Sequence, residues 1–134
     1  MIPRRAGRVV DCSPADARER RLQARAFLEV AELMLAGDRR QAHVAAANAV
    51  LAGIAAADAS CGFRVGQWSR GPDHSSAVKL LETVAVRDAS LPTNLRRLLV
   101  DKDAVHYSPN LVTVECATAM VRQAKALIAE ADAL

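Results

Sequence analysis

The chain has 134 residues, of which 51% are apolar and 3% aromatic, and its formal net charge is +3. This length and apolar content predict a single domain with its own hydrophobic core and exclude a disordered chain. With so few aromatic residues, a surface that binds bases mainly by stacking is also excluded. Ala occurs 28 times, against 6 Gly and 5 Pro, which favours an all-α fold over a sandwich or barrel.

The positive charge is concentrated at the N-terminus. Residues 1–25 hold seven Arg against three acidic residues, whereas the rest of the chain has a net charge of −1. Residues 1–12 show no helical or strand periodicity, so we expect a flexible basic segment there and a helical bundle over residues 13–134. Such a segment can attract nucleic acid or anionic lipid, or it can be a solvated leader without a partner.

The sequence predicts a cytoplasmic protein without membrane contact. Its early charges are not followed by the apolar run of a signal peptide. The most apolar stretch, residues 44–57, contains Asn48 and is too short to span a bilayer. Cys12, Cys61 and Cys116 lie far apart, which is typical of reduced thiols rather than of disulfides. Neither the HExxH nor the ExxH pattern occurs, so we expect no metal and no other cofactor.

The first predicted helix begins after Ser13 and runs to about Ala36. Ser13 is a suitable N-cap, Pro14 suits the first helical position, and Asp16 completes a capping box. Apolar residues recur at spacings of three and four, and we expect them to form the inner face of this helix: Leu22, Ala26, Val30, Leu33 and Met34.

The second predicted helix covers residues 39–60, between an Asp38 cap and the end of a long apolar run. It is apolar all round, which is typical of a central buried helix, and Asp58 near its end needs a partner if it is buried. Small residues recur along one side and allow a close approach of another helix, either within the bundle or from a second subunit: Ala46, Ala49, Gly53 and Ala57.

The remainder of the chain predicts a loop and three further helices. Residues 62–72 form the loop, and Asp73 caps a helix over residues 74–86. A fourth helix runs from about Pro92 to Tyr107, and a fifth begins at a Thr113 cap. With mostly short connections, these segments predict an up-and-down bundle of four to five helices.

Two clusters carry candidate chemistry. On the fourth helix the Leu stripe continues into Lys102 and His106, one turn apart, with Tyr107 directly after them. In a structural interpretation, Lys102 pairs with a carboxylate such as Asp58 and His106 caps the helix. In a functional one, Lys102 stabilises phosphate charge and His106 transfers a proton.

The second cluster lies where the chain enters the third helix. It consists of Arg64, Ser69, Arg70, Asp73 and His74, and either binds an anion at the helix start or is a solvated basic loop. His43, on the apolar second helix, is predicted to be a packed histidine.

The segment from Leu95 to Ser108, with Lys102, His106 and Tyr107, resembles the last motif of HEPN domains. In that superfamily an Arg or Lys precedes a His or Asp, often followed by Tyr-Ser, a loop and a long final helix. The upstream residues from Asn48 to Asp58, then Gly66, Ser69-Arg70-Gly71 and Asp73-His74, are similar to small actinobacterial HEPN-like proteins. The resemblance covers about residues 20–132.

The resemblance implies a helical bundle that forms a homodimer. Some members of the superfamily are metal-independent endoribonucleases of toxin–antitoxin or defence systems, and others bind RNA, nucleotides or a nucleotidyltransferase partner without catalysis. By resemblance, His106 and Lys102 are the candidate catalytic residues, in a degenerate form of the motif. The candidate binding residues are Tyr107, Asp58, Arg70, His74 and Arg64.

Three functions remain open from the sequence. The first is a homodimeric HEPN-like module that binds RNA, a nucleotide or a partner protein, with a nucleotidyltransferase or an antitoxin as possible partners. The second is an endoribonuclease in which the RNA 2′-hydroxyl attacks phosphorus without a metal. The third is a helical adaptor that contacts nucleic acid through its Arg-rich N-terminus.

Overall fold

The computed structural model describes residues 9–70, 74–84 and 90–134 and confirms an all-α helical bundle. A two-stranded antiparallel sheet is formed by β1 (Val9–Asp11) and β2 (Gln67–Ser69). The helices of the described ranges are α1 (Pro14–Leu35), α2 (Arg39–Val65), α3 (Ser75–Val84), α4 (Ser90–Val100), α5 (Lys102–Tyr107) and α6 (Val114–Asp132).

Local capping determines where the long helices begin. Ser13 Oγ accepts the Asp16 backbone N–H at 3.0 Å, and the Asp16 carboxylate accepts the Ser13 N–H at 3.3 Å. Asp38 and Gln41 make the same reciprocal pair at the start of α2. Thr113 caps α6 by accepting the Cys116 N–H. These starts are confirmed as predicted, since each cap satisfies helix N–H groups that have no partner within the helix.

The central element is α2, which packs against α1, α3, α4 and α6. The small residues predicted on one of its sides are buried within the chain, where Gly53 faces Leu98 of α4 and Leu127 of α6. The close approach that these residues allow is therefore made inside the bundle. In the described part of the chain, α2 is the one helix long and apolar enough to cross a membrane. The most apolar 18-residue stretch of α2 is 72% buried in the fold, which is compatible with the core helix of a soluble protein.

The inner face predicted for α1 is wrong. Leu22 and Leu33 are 56% and 70% exposed, and Ala26 and Val30 are exposed as well. The helix instead buries Ala17, Ala24 and Ala31, spaced at seven, because small side chains allow close contact with the Ala-rich α2. Of the predicted set, Met34 is partly buried against the core.

The region between α2 and α3 also differs from the prediction. The second helix continues to Val65 and ends at Gly66, whose φ of 66° suits a glycine C-cap. The predicted loop 62–72 thus contains the last turn of α2 and then β2; residues 71–73, including the expected Asp73 cap, lie outside the described residues.

The N-terminal part of the bundle begins before residue 13. Residues 9–11 pair with β2, and the Cys12 N–H donates to the Gly66 carbonyl at 2.8 Å. We expected these residues in a flexible segment. They belong to the fold because the backbone groups of β2 pair with those of β1. Residues 1–8 of that segment lie outside the described residues.

The fourth predicted helix is divided in two. Asp101, at φ −90° and ψ 0°, separates α4 from the short α5. The core position on α5 is Val105, and Lys102 and His106 are only half-buried, so the Leu stripe of α4 does not continue into them. As predicted, the helix ends at Tyr107, before the extended Ser108 that precedes Pro109.

Candidate functional site

A buried carboxylate near the end of α2 organises the candidate site. Asp58 is 3% exposed, and its Oδ2 accepts two hydrogen bonds from Arg20 of α1, from Nε at 3.1 Å and from Nη2 at 2.9 Å. Arg70, directly after β2, adds a contact from Nη1 at 3.4 Å. One carboxylate oxygen thus lies against two guanidinium groups that reach it from different elements.

The β2 strand positions Arg70. Its Nη1 donates to the Ser69 carbonyl at 2.8 Å, and its guanidinium lies 3.7 Å from the centre of the Trp68 ring. This stacking is a cation–π contact, which Arg makes readily because its charge is planar. The arrangement leaves Nε and Nη2 of Arg70 without a hydrogen bond in the described part of the chain.

These groups open into a cavity of about 370 Å³. Its walls come from α1, α2, β2 and α3, and the lining residues are Arg20, Ile54, Asp58, Ser69, Arg70, His74 and Ala77. Ser69 and Ser76 share a hydrogen bond beside it. His74 has a φ of 62°, a left-handed conformation that non-glycine residues seldom adopt.

Among the lining residues that the structure describes, positive charge exceeds negative charge. Burial raises the pKa of the Asp58 carboxyl above its ordinary value, while Arg20 and then Arg70 act in the opposite direction. Even with Asp58 ionised, two guanidinium charges face one carboxylate. The cavity therefore suits an anion, and the free edge of Arg70 can bind two oxygens of a phosphate or carboxylate side by side.

The second candidate cluster is on α5. Lys102 Nζ lies 3.7 Å from an Asp103 carboxylate oxygen and 5.8 Å from the centre of the Tyr107 ring. The rings of His106 and Tyr107 are 6.1 Å apart, and Tyr107 is exposed. Lys102, His106 and Tyr107 thus lie on the short α5 and not, as the sequence predicted, at the end of one long fourth helix.

Burial controls the chemistry of His106. Its Nε2 is buried and has no hydrogen-bond partner among the described residues. Burial lowers the pKa of this imidazole, and the Lys102 charge lowers it further, while the Ala47 carbonyl acts in the opposite direction. The ring therefore holds a proton less readily than an ordinary histidine, and the neutral imidazole is the form that can act as a general base.

The two clusters are separate. His106 contacts α2 at Ala47, and Asp58 lies eleven residues further along that helix, about 16 Å away by the rise of an α-helix. Asp58 pairs with Arg20 and Arg70, so the suggested ion pair with Lys102 is wrong.

The remaining predicted residues have structural partners. Arg64 pairs with Glu130 of α6 at 2.6 Å and does not line the Asp58 cavity. His43 is half-buried, and its Nδ1 accepts the Val112 N–H at 3.1 Å, as a packed histidine would. This bond connects α2 to the segment before α6.

Arg20, which makes the shortest contacts with Asp58, was not among the residues predicted from the sequence. The spacing of residues in α1 could have identified it. Arg20 lies three residues after Ala17 and four before Ala24, on the side of α1 that carries the buried Ala residues. A single cation on a buried face indicates a buried acid opposite, and Asp58 was the acid identified on α2.

The described residues contain no group of three or more His, Cys, Asp and Glu side chains placed to hold a metal ion. Comparison of the chain with protein-family models, with curated proteins and with solved structures gives no match.

Proposed function

We propose that this chain is a cytoplasmic, homodimeric HEPN-like module whose Asp58 cavity binds the phosphate of a nucleotide or of RNA. The observation that carries the proposal is the excess of positive charge among the described residues of the cavity, where Arg20 and Arg70 share one buried carboxylate. Its volume of about 370 Å³ falls in the range of small-molecule sites.

The two arginines have different tasks in this proposal. Arg20 donates hydrogen bonds from Nε and Nη2 to Asp58 and from Nη1 to Gln23. It therefore contributes positive charge and fixes the position of the carboxylate. Arg70 is 37% exposed, and its Nε and Nη2 make no hydrogen bond to the described residues, so we assign them to the ligand. Asp58 orients both groups, and Trp68 supports the flat face of Arg70.

The position of Trp68 supplies the test. It is the single Trp of the chain, so its fluorescence reports on events at Arg70. We would titrate the protein at low salt with a mononucleotide, with short single-stranded RNA, and with a nucleoside that lacks phosphate. The phosphate-bearing ligands should change the fluorescence and the nucleoside should not. Calorimetry provides an independent affinity.

Variants of Arg70 sharpen this test. We expect Arg70→Gln to weaken binding about tenfold or more, and Arg70→Lys to lose part of it, because Lys keeps the charge without the two-pronged geometry. Arg96→Gln is the matched control, since Arg96 forms an exposed ion pair with Glu82 outside this cavity. Equal affinity of Arg70→Gln and the unmodified protein would contradict the proposal.

A metal-independent ribonuclease is the second candidate, favoured by the position of His106 one helical turn from Lys102 and by the lowered pKa of its imidazole. In this proposal His106 accepts the proton of the RNA 2′-hydroxyl and Lys102 stabilises the phosphorane charge. Incubation with structured RNA in EDTA should then yield cyclic-phosphate ends, and His106→Ala of matched thermal stability should yield none. Intact RNA after incubation with the folded protein would exclude this activity for the RNA used.

A further inference from the structure

Only one of the two carboxylate oxygens of Asp58 contacts its arginine partners. Oδ2 accepts from Arg20 at 2.9 and 3.1 Å and lies 3.4 Å from Nη1 of Arg70. Oδ1 makes no hydrogen bond to the residues that the structure describes, yet it is not sealed from solvent as Nε2 of His106 is. Because Asp58 also lines the cavity of about 370 Å³, Oδ1 is the acceptor that this residue presents there.

The cavity therefore presents two opposite kinds of hydrogen-bonding group. Nε and Nη2 of Arg70 are donors with positive charge, whereas Oδ1 of Asp58 is an acceptor with negative charge. The two lie on neighbouring groups, because Nη1 of the same guanidinium contacts the other oxygen of the Asp58 carboxylate. A ligand that satisfies both needs an anionic group and, a few bonds away, a hydrogen-bond donor.

A neutral hydroxyl suits Oδ1 better than an ammonium group does. The Asp58 carboxylate already lies against the guanidinium groups of Arg20 and Arg70, so an ammonium ion beside it would face two like charges. A hydroxyl donates to a carboxylate without adding charge and forms a short bond of about 2.5–2.7 Å. A phosphate and a hydroxyl a few bonds apart occur together in a sugar phosphate, which is part of every ribonucleotide.

The apolar part of the cavity suits the carbon atoms of a sugar. Ile54 of α2 and Ala77 of α3 line it beside the polar groups, and Ile54 packs against the core. A volume of about 370 Å³ is close to the lower limit of small-molecule sites, so a sugar phosphate fills much of it and a base need not enter. Discrimination between ligands should therefore depend on the sugar and the phosphate.

We propose that Oδ1 of Asp58 accepts a hydrogen bond from a ribose hydroxyl while Arg70 binds the phosphate of the same ligand. This inference rests on the phosphate binding of the proposed function and adds the sugar as the group that determines specificity. A deoxyribose at this position would shield Oδ1 from water without supplying a donor. Because a shielded and unpaired acceptor costs free energy, the cavity selects ribonucleotides over deoxyribonucleotides.

Three nucleotides that differ in one hydroxyl test this contact on the unmodified chain. We would titrate it with adenosine 5′-monophosphate and with its 2′-deoxy and 3′-deoxy analogues, following Trp68 fluorescence and heat release. We expect at least one deoxy analogue to bind about tenfold or more weakly, because it loses a hydrogen bond to a charged group. Equal dissociation constants for all three would overturn the sugar contact and leave phosphate binding intact. No binding of any of the three would overturn the proposed phosphate site and the sugar contact with it.

The variant Asp58→Asn tests whether this carboxylate reads the hydroxyl. Guanidinium groups only donate, so the amide oxygen should face Arg20 and Arg70 and the amide nitrogen should replace Oδ1. The ratio of deoxyribonucleotide to ribonucleotide dissociation constants should then fall toward one, whereas a merely structural Asp58 would change both constants together.

Asp132→Asn is the matched control for this substitution, because Asp132 pairs with Arg25 at an exposed position outside the cavity. It should keep the ratio of the unmodified chain. Circular dichroism and thermal melting verify that both variants fold. An unchanged ratio in folded Asp58→Asn would overturn the contact with Asp58. If that variant does not fold, the three nucleotides on the unmodified chain still decide whether a ribose hydroxyl is bound.

Discussion

Arg20 Nη2 lies 2.9 Å from Oδ2 of Asp58, and the two residues are 38 positions apart in the sequence. This contact connects the start of α1 to the end of α2 at the floor of the cavity. Because Asp58 is almost fully buried, its charge depends on the two arginines for compensation. The pair therefore supports the fold and the candidate site at once.

Loss of Arg20 should cost stability. We expect Arg20→Gln to lower the free energy of unfolding by about 2 kcal/mol, less than for a fully buried pair because Arg70 still contacts Asp58. Urea denaturation measures the change. Arg25→Gln is the control, since Arg25 pairs with Asp132 at an exposed position and should change stability by less than about 1 kcal/mol. Equal effects of the two substitutions would contradict a structural role for the Arg20–Asp58 pair.

Gly53 should not tolerate a methyl group. A Cβ at this position would lie 2.5 Å from Cδ1 of Leu98 and 3.3 Å from Cδ1 of Leu127. Leu98 is fully buried and has little room to move. We expect Gly53→Ala to lower the unfolding free energy by about 1–3 kcal/mol despite the better helix propensity of Ala. The double variant with Leu98→Val should recover part of the loss; a more stable Gly53→Ala single variant would contradict this packing.

The free energy of unfolding should decrease as the pH is lowered, because of His106. Its pKa is lowered in the folded state, so the unfolded chain binds the proton more readily as the pH falls through the ordinary histidine value of 6.5. The stabilisation is thus present above that value and is lost on acidification. We would measure the melting temperature from neutral pH down to the pH at which carboxylates begin to take up protons. The melting temperature should depend less on pH for His106→Gln than for the unmodified chain.

An NMR titration of the His106 ring measures the same pKa directly. The value should lie below 6.5, and Lys102→Met should raise it by removing a neighbouring positive charge. A His106 pKa above 6.5 would show that neither burial nor Lys102 controls this ring.

The three thiols should react at different rates. Cys61 is buried, and burial raises the pKa of its thiol to about 12; Cys12 is buried too, with its pKa also raised. Burial and the nearby Asp101 raise the pKa of Cys116 too, but this thiol is partly exposed. A disulfide reagent at neutral pH should therefore modify Cys116 first, and the other two only on unfolding. The denatured chain, in which all three react, is the control, and rapid native-state modification of Cys61 would contradict its burial.

The sequence alone determined the features that depend on neighbouring residues. Ser13 with Asp16 and Asp38 with Gln41 are capping pairs three residues apart, so the helix starts follow from local hydrogen bonds. The central position of α2 follows from its continuous apolar run. The juxtaposition of Lys102, His106 and Tyr107 follows from their adjacency in the chain.

The tertiary structure decided which surface each side chain meets. Periodicity identified the Leu stripe of α1 but not whether it faces the core or the solvent, because this helix has an Ala side and a Leu side that are both apolar. The small Ala side chains allow closer packing against α2, so the Ala side is the buried one. Likewise, Arg20, Asp58 and Arg70 are far apart in the chain, and only the packing of α1 and β2 against α2 brings their charges to one cavity. Electrostatic and packing energies depend on distances between atoms in the folded chain, and these distances cannot be read from the amino-acid sequence.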